Sequence, residues 1–331
     1  MPHLNDLTVL AMAAEGTAGT AETLADADYN VRVRNITLKH ITEMHDEDSK
    51  FSTGDHGEDN AIAGNQTAVV EGDIRCCWGG AAGTAPTWWK FPMICGASNV
   101  SFTTTGEALE PLKAYDAKTG TIVIQEPDLS GSAQQTTLAG CVGNMVISAD
   151  AVGAPIMAHF TITGKVSSVT TVTSGDILAL TSPDTTIAER FLDADVTLSG
   201  ITTGNLVSSW SLDFGNEVQP LYDQSETTGI DYYTIVTRKP RLSINPLKQL
   251  PSAWDVQDYW RDMTEGTVSI DIGSAHHFLL TVPVAQILDA GTGTREGYQN
   301  WDLVYKCERN GTTSATINDE ATWQILNGAT S

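Results

Sequence analysis

The densest grouping of chemically capable side chains lies between residues 45 and 59: His45-Asp-Glu-Asp-Ser-Lys50, then Asp55, His56, Glu58 and Asp59. Oxygen-rich loops bind calcium when acidic ligands alternate around a central glycine and end on a glutamate at fixed offsets. Those offsets are not met, so the segment reads as a solvated acidic loop or one ordered by a neighbouring subunit. His276 and His277 are adjacent in an extended run. Successive strand residues face opposite sides, so the two imidazoles cannot chelate from one face. The five cysteines at 76, 77, 95, 141 and 307 form no CxxC pair and no Cys/His spacing suited to zinc. They read as buried free thiols in a reduced compartment. No nucleophile elbow, Walker loop, dinucleotide fingerprint or His-Glu-x-x-His motif occurs. With 41 acidic residues present, a carboxylate pair for glycoside hydrolysis has no spacing rule to single it out. The sequence therefore designates no catalytic residue, no cofactor and no metal site.

A chain of 331 residues has room for two domains of ordinary size. Its 41% apolar and 18% charged content is that of a globular protein. Apolar stretches such as Met145 to Phe160 are broken by Gly, Asp and Pro, short of the roughly 18–20 residues that span a bilayer. The first residues lack a basic region followed by an apolar run, so folding in the cytoplasm is expected, with no membrane partner. The net charge of −23 repels nucleic-acid phosphates and argues against DNA binding. It suits a surface that DNA slides past, and equally one that only keeps a concentrated protein soluble.

Outside these groupings the chain reads mostly as strands. Apolar and polar residues alternate in Asn30–Lys39, Thr121–Gln125, Ala158–Thr163 and Thr267–Ile272, with Gly, Asn and Asp clusters between the runs. That pattern predicts antiparallel sheets joined by turns. Two helices interrupt it. Thr84–Cys95 has Pro86 suited to a first turn, Pro92 inside and Gly96 beyond its end, so it is short or kinked. Ser252–Glu265 has Ser252 and Asp255 arranged like a capping box, and Val256, Tyr259, Trp260 and Met263 on one apolar stripe. The aromatics of both helices are suited to cover the open face of a sheet.

The order strand, long polar loop, strand, helix, strands occurs twice, about 170 residues apart. The first copy runs through Asn35–Thr42, Glu43–Asn65, Thr67–Cys77 and helix one. The second runs through Val207–Phe214, Gly215–Gly229, Tyr233–Ile244 and helix two. The expected organisation is a first domain over 1–165 with an N-terminal arm, a connecting segment over 166–205, and a second domain over 206–331. The connecting segment is expected to add a strand near Val196–Leu198.

The second half contains Ser209-Trp-Ser-Leu-Asp-Phe-Gly-Asn-Glu-Val-Gln-Pro-Leu-Tyr222, then Thr228-Gly-Ile-Asp-Tyr-Tyr233, then Ile235-Val-Thr-Arg-Lys-Pro-Arg-Leu-Ser-Ile244. These runs resemble the tail tube (major tail) proteins of long-tailed bacteriophages. There a strand ending in Gly-Asn-Glu enters a long loop and an Arg-x-Pro strand returns. Leu10–Thr17, the passage from helix one into Cys95-Gly96, and Leu138–Asn144 resemble the same family. Order and coverage carry the likeness, since none of these runs is a catalytic signature.

The resemblance implies a mainly β fold: two tandem tail-tube-like antiparallel β-sandwich or barrel domains, each flanked by a short α-helix. It implies a structural subunit whose strands lie beside a neighbour's to close an inner barrel. Two copies per chain would make a trimeric ring with pseudo-sixfold symmetry, the alternative being a hexamer. Rings would stack into a tube whose acidic lumen conducts genomic DNA without specific binding, assembled in the host cytoplasm for the virion tail. Tape measure, terminator and distal tail proteins would be the other partners. Carried onto this sequence, the inter-ring loops are Glu43–Asn65 and Gly215–Tyr233, with Asp46, Glu47, Asp48, Asp55, Glu58, Asp59, Glu217, Tyr222, Asp223, Glu226 and Asp231 as candidate contacts. Two other readings stay open at this point. One is a β-sandwich adhesin or carbohydrate-binding protein stacking sugars on Trp88, Trp89 and Trp301; the other is a β-rich hydrolase.

Overall fold

A computed structural model describes residues 8–24, 28, 31–45, 62–77, 86–99, 107–111, 118–128, 130–173, 189–198, 206–273, 276–309 and 322–327. In chain order the first elements are β1 (Val9–Ala14), β2 (Val33–His45), β3 (Ile62–Arg75), α1 (Lys90–Ile94), β4 (Ala97–Asn99), β5 (Glu107–Pro111), β6 (Gly120–Pro127), β7 (Ala133–Ala149) and β8 (Met157–Val172). The rest are β9 (Ala194–Thr197), β10 (Val207–Asp213), β11 (Asn216–Tyr222), β12 (Ile230–Arg238), β13 (Arg241–Pro246), α2 (Val256–Arg261), β14 (Glu265–Ile272), β15 (His276–Arg295), β16 (Tyr298–Glu308) and β17 (Thr322–Asn327). The fold is mainly β, as the alternation predicts, with one large antiparallel sheet.

Eight strands run through that sheet in the order β2-β3-β8-β7-β10-β13-β16-β15. The chain reaches each half of it by the same route. In the first half the pairing path is β2-β3-β8-β7-β6-β1; in the second it is β10-β13-β16-β15-β14-β9. Registers correspond as well. Leu38 faces Val70, Val70 faces Ile162, and Ile162 faces Gly143. In the second half Leu212 faces Leu242, Leu242 faces Tyr305, and Tyr305 faces Ile287. The halves join where β10 pairs with β7, through Trp210↔Ala149, Ser211↔Ser148, Leu212↔Ile147 and Asp213↔Val146.

The period of two sends alternate residues of these strands into the core. Val70, Ile162, Phe160, Ile147 and Met145 are buried in one half, and Trp210, Leu212, Leu242, Leu303 and Tyr305 in the other. Leu10 and Met12 of β1, Ile122 and Ile124 of β6, and Val268 and Ile270 of β14 close over them in the same cluster. Trp88, Trp89 and Phe91 are buried beside α1, each aromatic removing enough apolar surface to stabilise by roughly 1.5–3 kcal/mol. Trp301 is buried too. No indole face of these three is left for a sugar, which removes the basis of the carbohydrate-binding reading. All five cysteines are buried thiols outside any disulfide.

Both helices are shorter than their patterns suggest. Helix one is a 3-10 turn over Thr87–Trp89 followed by α1, because Pro92 limits its backbone bonding, and Gly96 at φ 81° turns the chain away. Helix two starts at Val256, not Ser252. Its N-cap is Asp255, whose carboxylate accepts the Asp258 amide at 3.1 Å. The stripe is only half used: Val256 is buried and Tyr259 packs on the core, but Trp260 and Met263 are exposed. In the connecting segment, β8 continues to Val172 and β9 supplies the strand expected near Val196.

Glu15, in the Ala-Ala-Glu-Gly run after β1, ties the N-terminal segment to the sheet. Its buried carboxylate accepts from Thr121 Oγ1 at 3.0 Å, Gly140 N at 2.8 Å, Thr119 Oγ1 at 2.6 Å and Gly19 N at 2.8 Å. Four donors compensate the cost of burying the charge. Replacing Glu15 with Ala orphans them and should destabilise the chain by about 3 kcal/mol in urea unfolding; a change within the error of the fit would contradict this account.

Candidate assembly surfaces

Two features stand apart from the packed core: an outlying hairpin and the two ends of the eight-stranded sheet. The hairpin occupies the stretch expected to be a long polar loop, Gly215–Gly229. β11 and β12 form a separate two-stranded antiparallel sheet, pairing Asn216↔Arg238 through Tyr222↔Ile230. Only residues 223–229 form its turn. There Asp223 accepts the Ser225 amide at 2.8 Å and its hydroxyl at 2.7 Å, and these bonds hold the carboxyl below its usual value. The expected strand Tyr233–Ile244 is correspondingly broken at Lys239–Pro240, since proline has no amide to continue a ladder.

The Gly-Asn-Glu run explains how the hairpin leaves the sheet. Gly215 has φ 62°, and a Cβ there would lie 2.1 Å from the Lys239 carbonyl oxygen, so the two exiting strands cross where only glycine fits. Asn216 then clamps the exit. Its amide group donates to the carbonyls of Cys95, at 2.7 Å, and Gly143, at 3.0 Å, while its backbone amide donates to Asn144 Oδ1 at 3.1 Å.

The hairpin lies against the face of β7 and β8 turned away from the core. Val142, Ile230 and Tyr233 are buried together, with Val218 and Ile235 around them. Gly140, at φ 61°, lets β12 approach so closely that a Cβ there would be 2.8 Å from the Tyr232 Cα. Lys165, only 8% exposed, donates to Glu226 at 3.1 Å. Of the candidate contacts in this arm, Glu226 and Asp231 thus face the same chain. Asp231 meets Gly19, and Glu217 accepts from Thr237 Oγ1 at 3.1 Å within the hairpin. Tyr222 is 66% exposed and follows exposed Leu221 near the turn, while Val236 is exposed at the other end of the hairpin, near Glu217 and Val218 of the paired strand; the sequence reading singled out neither Leu221 nor Val236. Asp46, Glu47, Asp48, Asp55, Glu58 and Asp59 lie outside the described residues.

Unpaired backbone marks the two ends of the sheet. Among the described residues β2 pairs only with β3. β15 pairs with β14 through Phe278–Gln286, and beyond that point no described strand pairs its β14-side edge from Leu288 to Arg295. Sequence reasoning missed both edges, although Gly291-Thr-Gly-Thr294 ending a long strand is a signal for one of them. At the β2 end, Asn35 sits at φ 54° in a bulge held by Asp73. Partial burial pushes the Asp73 carboxyl up, but bonds from His159 at 2.9 Å and Asn35 at 2.7 Å outweigh it, with Arg34 adding charge, and the value falls.

The sheet face turned from the core carries both signs, with Arg34, Lys39, Arg241 and Lys306 beside Glu71, Asp73, Asp213 and Asp302. Among the described residues no three His, Cys, Asp or Glu side chains gather as a metal site, and no helix is long and apolar enough to cross a membrane.

Close backbone approach predicts that Gly140→Val lifts the hairpin. Amides of Ile230–Tyr233 should then exchange with deuterium at least ~10-fold faster, while those of β3 and β8 are unchanged. Equal rates in both proteins would mean that the approach at Gly140 does not seat the hairpin.

A search of curated proteins finds no match. A family model described as phage tail tube protein matches residues 6–318, nearly the whole chain and every element from β1 to β16. The large β-sheet and the outlying hairpin accord with a structural role, and the chain belongs to the phage tail tube protein family.

Proposed function

We propose that this chain is the polymerising subunit of a phage tail tube, with three chains closing head to tail into a ring and the rings stacking into a tube. The observation that carries this reading is the pair of edges that no described strand pairs, at the two ends of the eight-strand run from β2 to β15 within the large sheet. Each half of that sheet follows the same pairing path, and the halves meet β7 to β10. On that correspondence β15 occupies the place of β7, and β2 the place of β10. The open edge of β15 is thus suited to the open edge of β2 on the next chain, which leaves no edge in a closed ring.

In this reading the two tail-tube-like domains are 1–165 and 206–331, joined by 166–205. Eight strands from each of three chains make a barrel of 24. With strands about 4.8 Å apart and tilted by roughly 40°, its backbone diameter is about 48 Å, wider than a DNA duplex. Six whole chains would be the alternative ring, with twice the strands. The core layer of β1, β6, β9, β14 and the helices needs the larger circumference, so the opposite sheet face lines the channel, apart from the part of β7 and β8 that the hairpin covers. Because that face carries both signs, the expected acidic lumen narrows to a charge-compensated wall. A polyanion passing it finds no continuous cationic track to hold it.

Leu221, Tyr222 and Val236 on the exposed side of the hairpin, with the segment 43–65, are assigned to contacts between rings. Genomic DNA, the tape measure, terminator and distal tail proteins are the partners in this reading, and assembly takes place in the host cytoplasm.

Negative-stain electron microscopy of concentrated protein should show rings or tubes with a central channel and threefold-related subunits. Persistent monomers would refute the assignment. The correspondence also places Thr294 opposite Ile36 of the neighbour, as Ala149 lies opposite Trp210. A chain carrying Ile36→Cys and Thr294→Cys should therefore oxidise to a covalent trimer on a denaturing gel. A ladder reaching six chains would favour the hexamer, and monomers alone would exclude this register.

A further inference from the structure

The internal junction between β7 and β10 contains a side-chain bond whose counterpart at the open edges has a different chemistry. Asn144 of β7 donates its amide to Asp213 of β10 at 2.8 Å. Both lie on the sheet face turned from the core, and the bond spans the seam between the two halves. The strand registers identify the corresponding positions without reference to any other molecule. Asn144 faces Thr161 of β8, and Asp289 faces Val304 of β16. Thr161 and Val304 each follow by one residue the buried position that precedes their partners in the ladder: Phe160 and Leu303, opposite Gly72 and Ile244. On the other strand, Leu38 and Leu212 are equivalent through their partners Val70 and Leu242. The next residues are Lys39 and Asp213. At the open edges the Asn–Asp pair thus becomes Asp289 on β15 and Lys39 on β2.

We infer that Lys39 of one subunit pairs with Asp289 of its neighbour and so selects which edge docks on which. This rests on the ring reading proposed above and adds a charge code to it. The same register sets Gly291, Thr292, Gly293 and Thr294 opposite Lys39, Leu38, Thr37 and Ile36 of the neighbour. Lys39 and Asp289 are both exposed within the subunit, and neither forms an ion pair there among the described residues. Val33, Ile36 and Leu38 are only partly buried although they pack on the core, whereas Val207, Trp210 and Leu212, which take their places at the internal seam, are buried. That difference is the one expected if the first three still await a strand beside them. Opposite charges on unlike edges favour head-to-tail docking and hence a closed ring.

Charge exchange in the full-length protein tests the pair. Lys39→Glu sets two carboxylates together and Asp289→Lys two ammonium groups; each should raise the concentration needed for ring or tube formation, read by light scattering and electron microscopy, by about tenfold or more. Combining the two restores an opposite pair and should return assembly to within about threefold of the unmodified chain. Circular dichroism melts of each variant confirm that the subunits are folded. If the single variants assemble like the unmodified chain, or the double variant is no better than the worse single one, the pairing is wrong while the ring reading stands. An unmodified chain that never forms rings overturns both.

Discussion

Four facing residue pairs between β7 and β10 make one sheet out of two strand sets, and the rest of the architecture follows from that ladder. Without it each set would end in bare N–H and C=O groups at both sides, each a site for uncontrolled pairing. With it, among the described residues, the exposed backbone of the eight-strand run is reduced to one edge at each end. The core runs beneath the seam without a break: Trp210 and Leu212 pack in the same cluster as Ile147 and Ala149. The hairpin then braces the junction from the opposite face. It leaves the sheet immediately after β10, is clamped to Gly143 through Asn216, and reaches as far as Lys165.

Much of this was legible in the residues. Alternation located the long strands, and Gly215, Asn216 and Pro240 marked where the chain leaves and rejoins the sheet. The hairpin itself was hidden because Glu217, Gln219 and Pro220 carry little apolar alternation. Its ladder is stabilised by docking onto Val142, a contact more than seventy residues away in sequence. Helix two was overextended because Ser252 and Asp255 both qualify as caps by type. Only the backbone turn over 251–253 decides for Asp255.

The candidate contacts divide along the same line. Acidic loops are conspicuous in composition, which singles out Glu226 and Asp231; Glu226 accepts from Lys165 of its own chain, and Asp231 lies beside Gly19. Lys39 and Asp289 are ordinary charged residues on ordinary strands. Their significance depends on which edges lack a partner, and pairing partners are a non-local property that period-two patterns do not encode. The correspondence of the two pairing paths supplies that information, because the filled β7–β10 seam serves as the template for the proposed one.

Fusing two strand sets in one chain also changes how such an assembly meets mutation. In a ring of identical single-set subunits, any substitution at a seam is repeated at every seam, and its cost is multiplied by the full rotational order. In the proposed ring the seam closed by Asn144 and Asp213 and the seam assigned to Asp289 and Lys39 are written in different residues. A damaging change at one leaves every copy of the other intact. The β7–β10 seam, whose strands belong to one chain, has its partner at a high effective concentration, so it can tolerate weaker contacts than the proposed intermolecular one. The two seams are therefore free to diverge, as an amide–carboxylate bond on one side and an ammonium and a carboxylate on the other already illustrate.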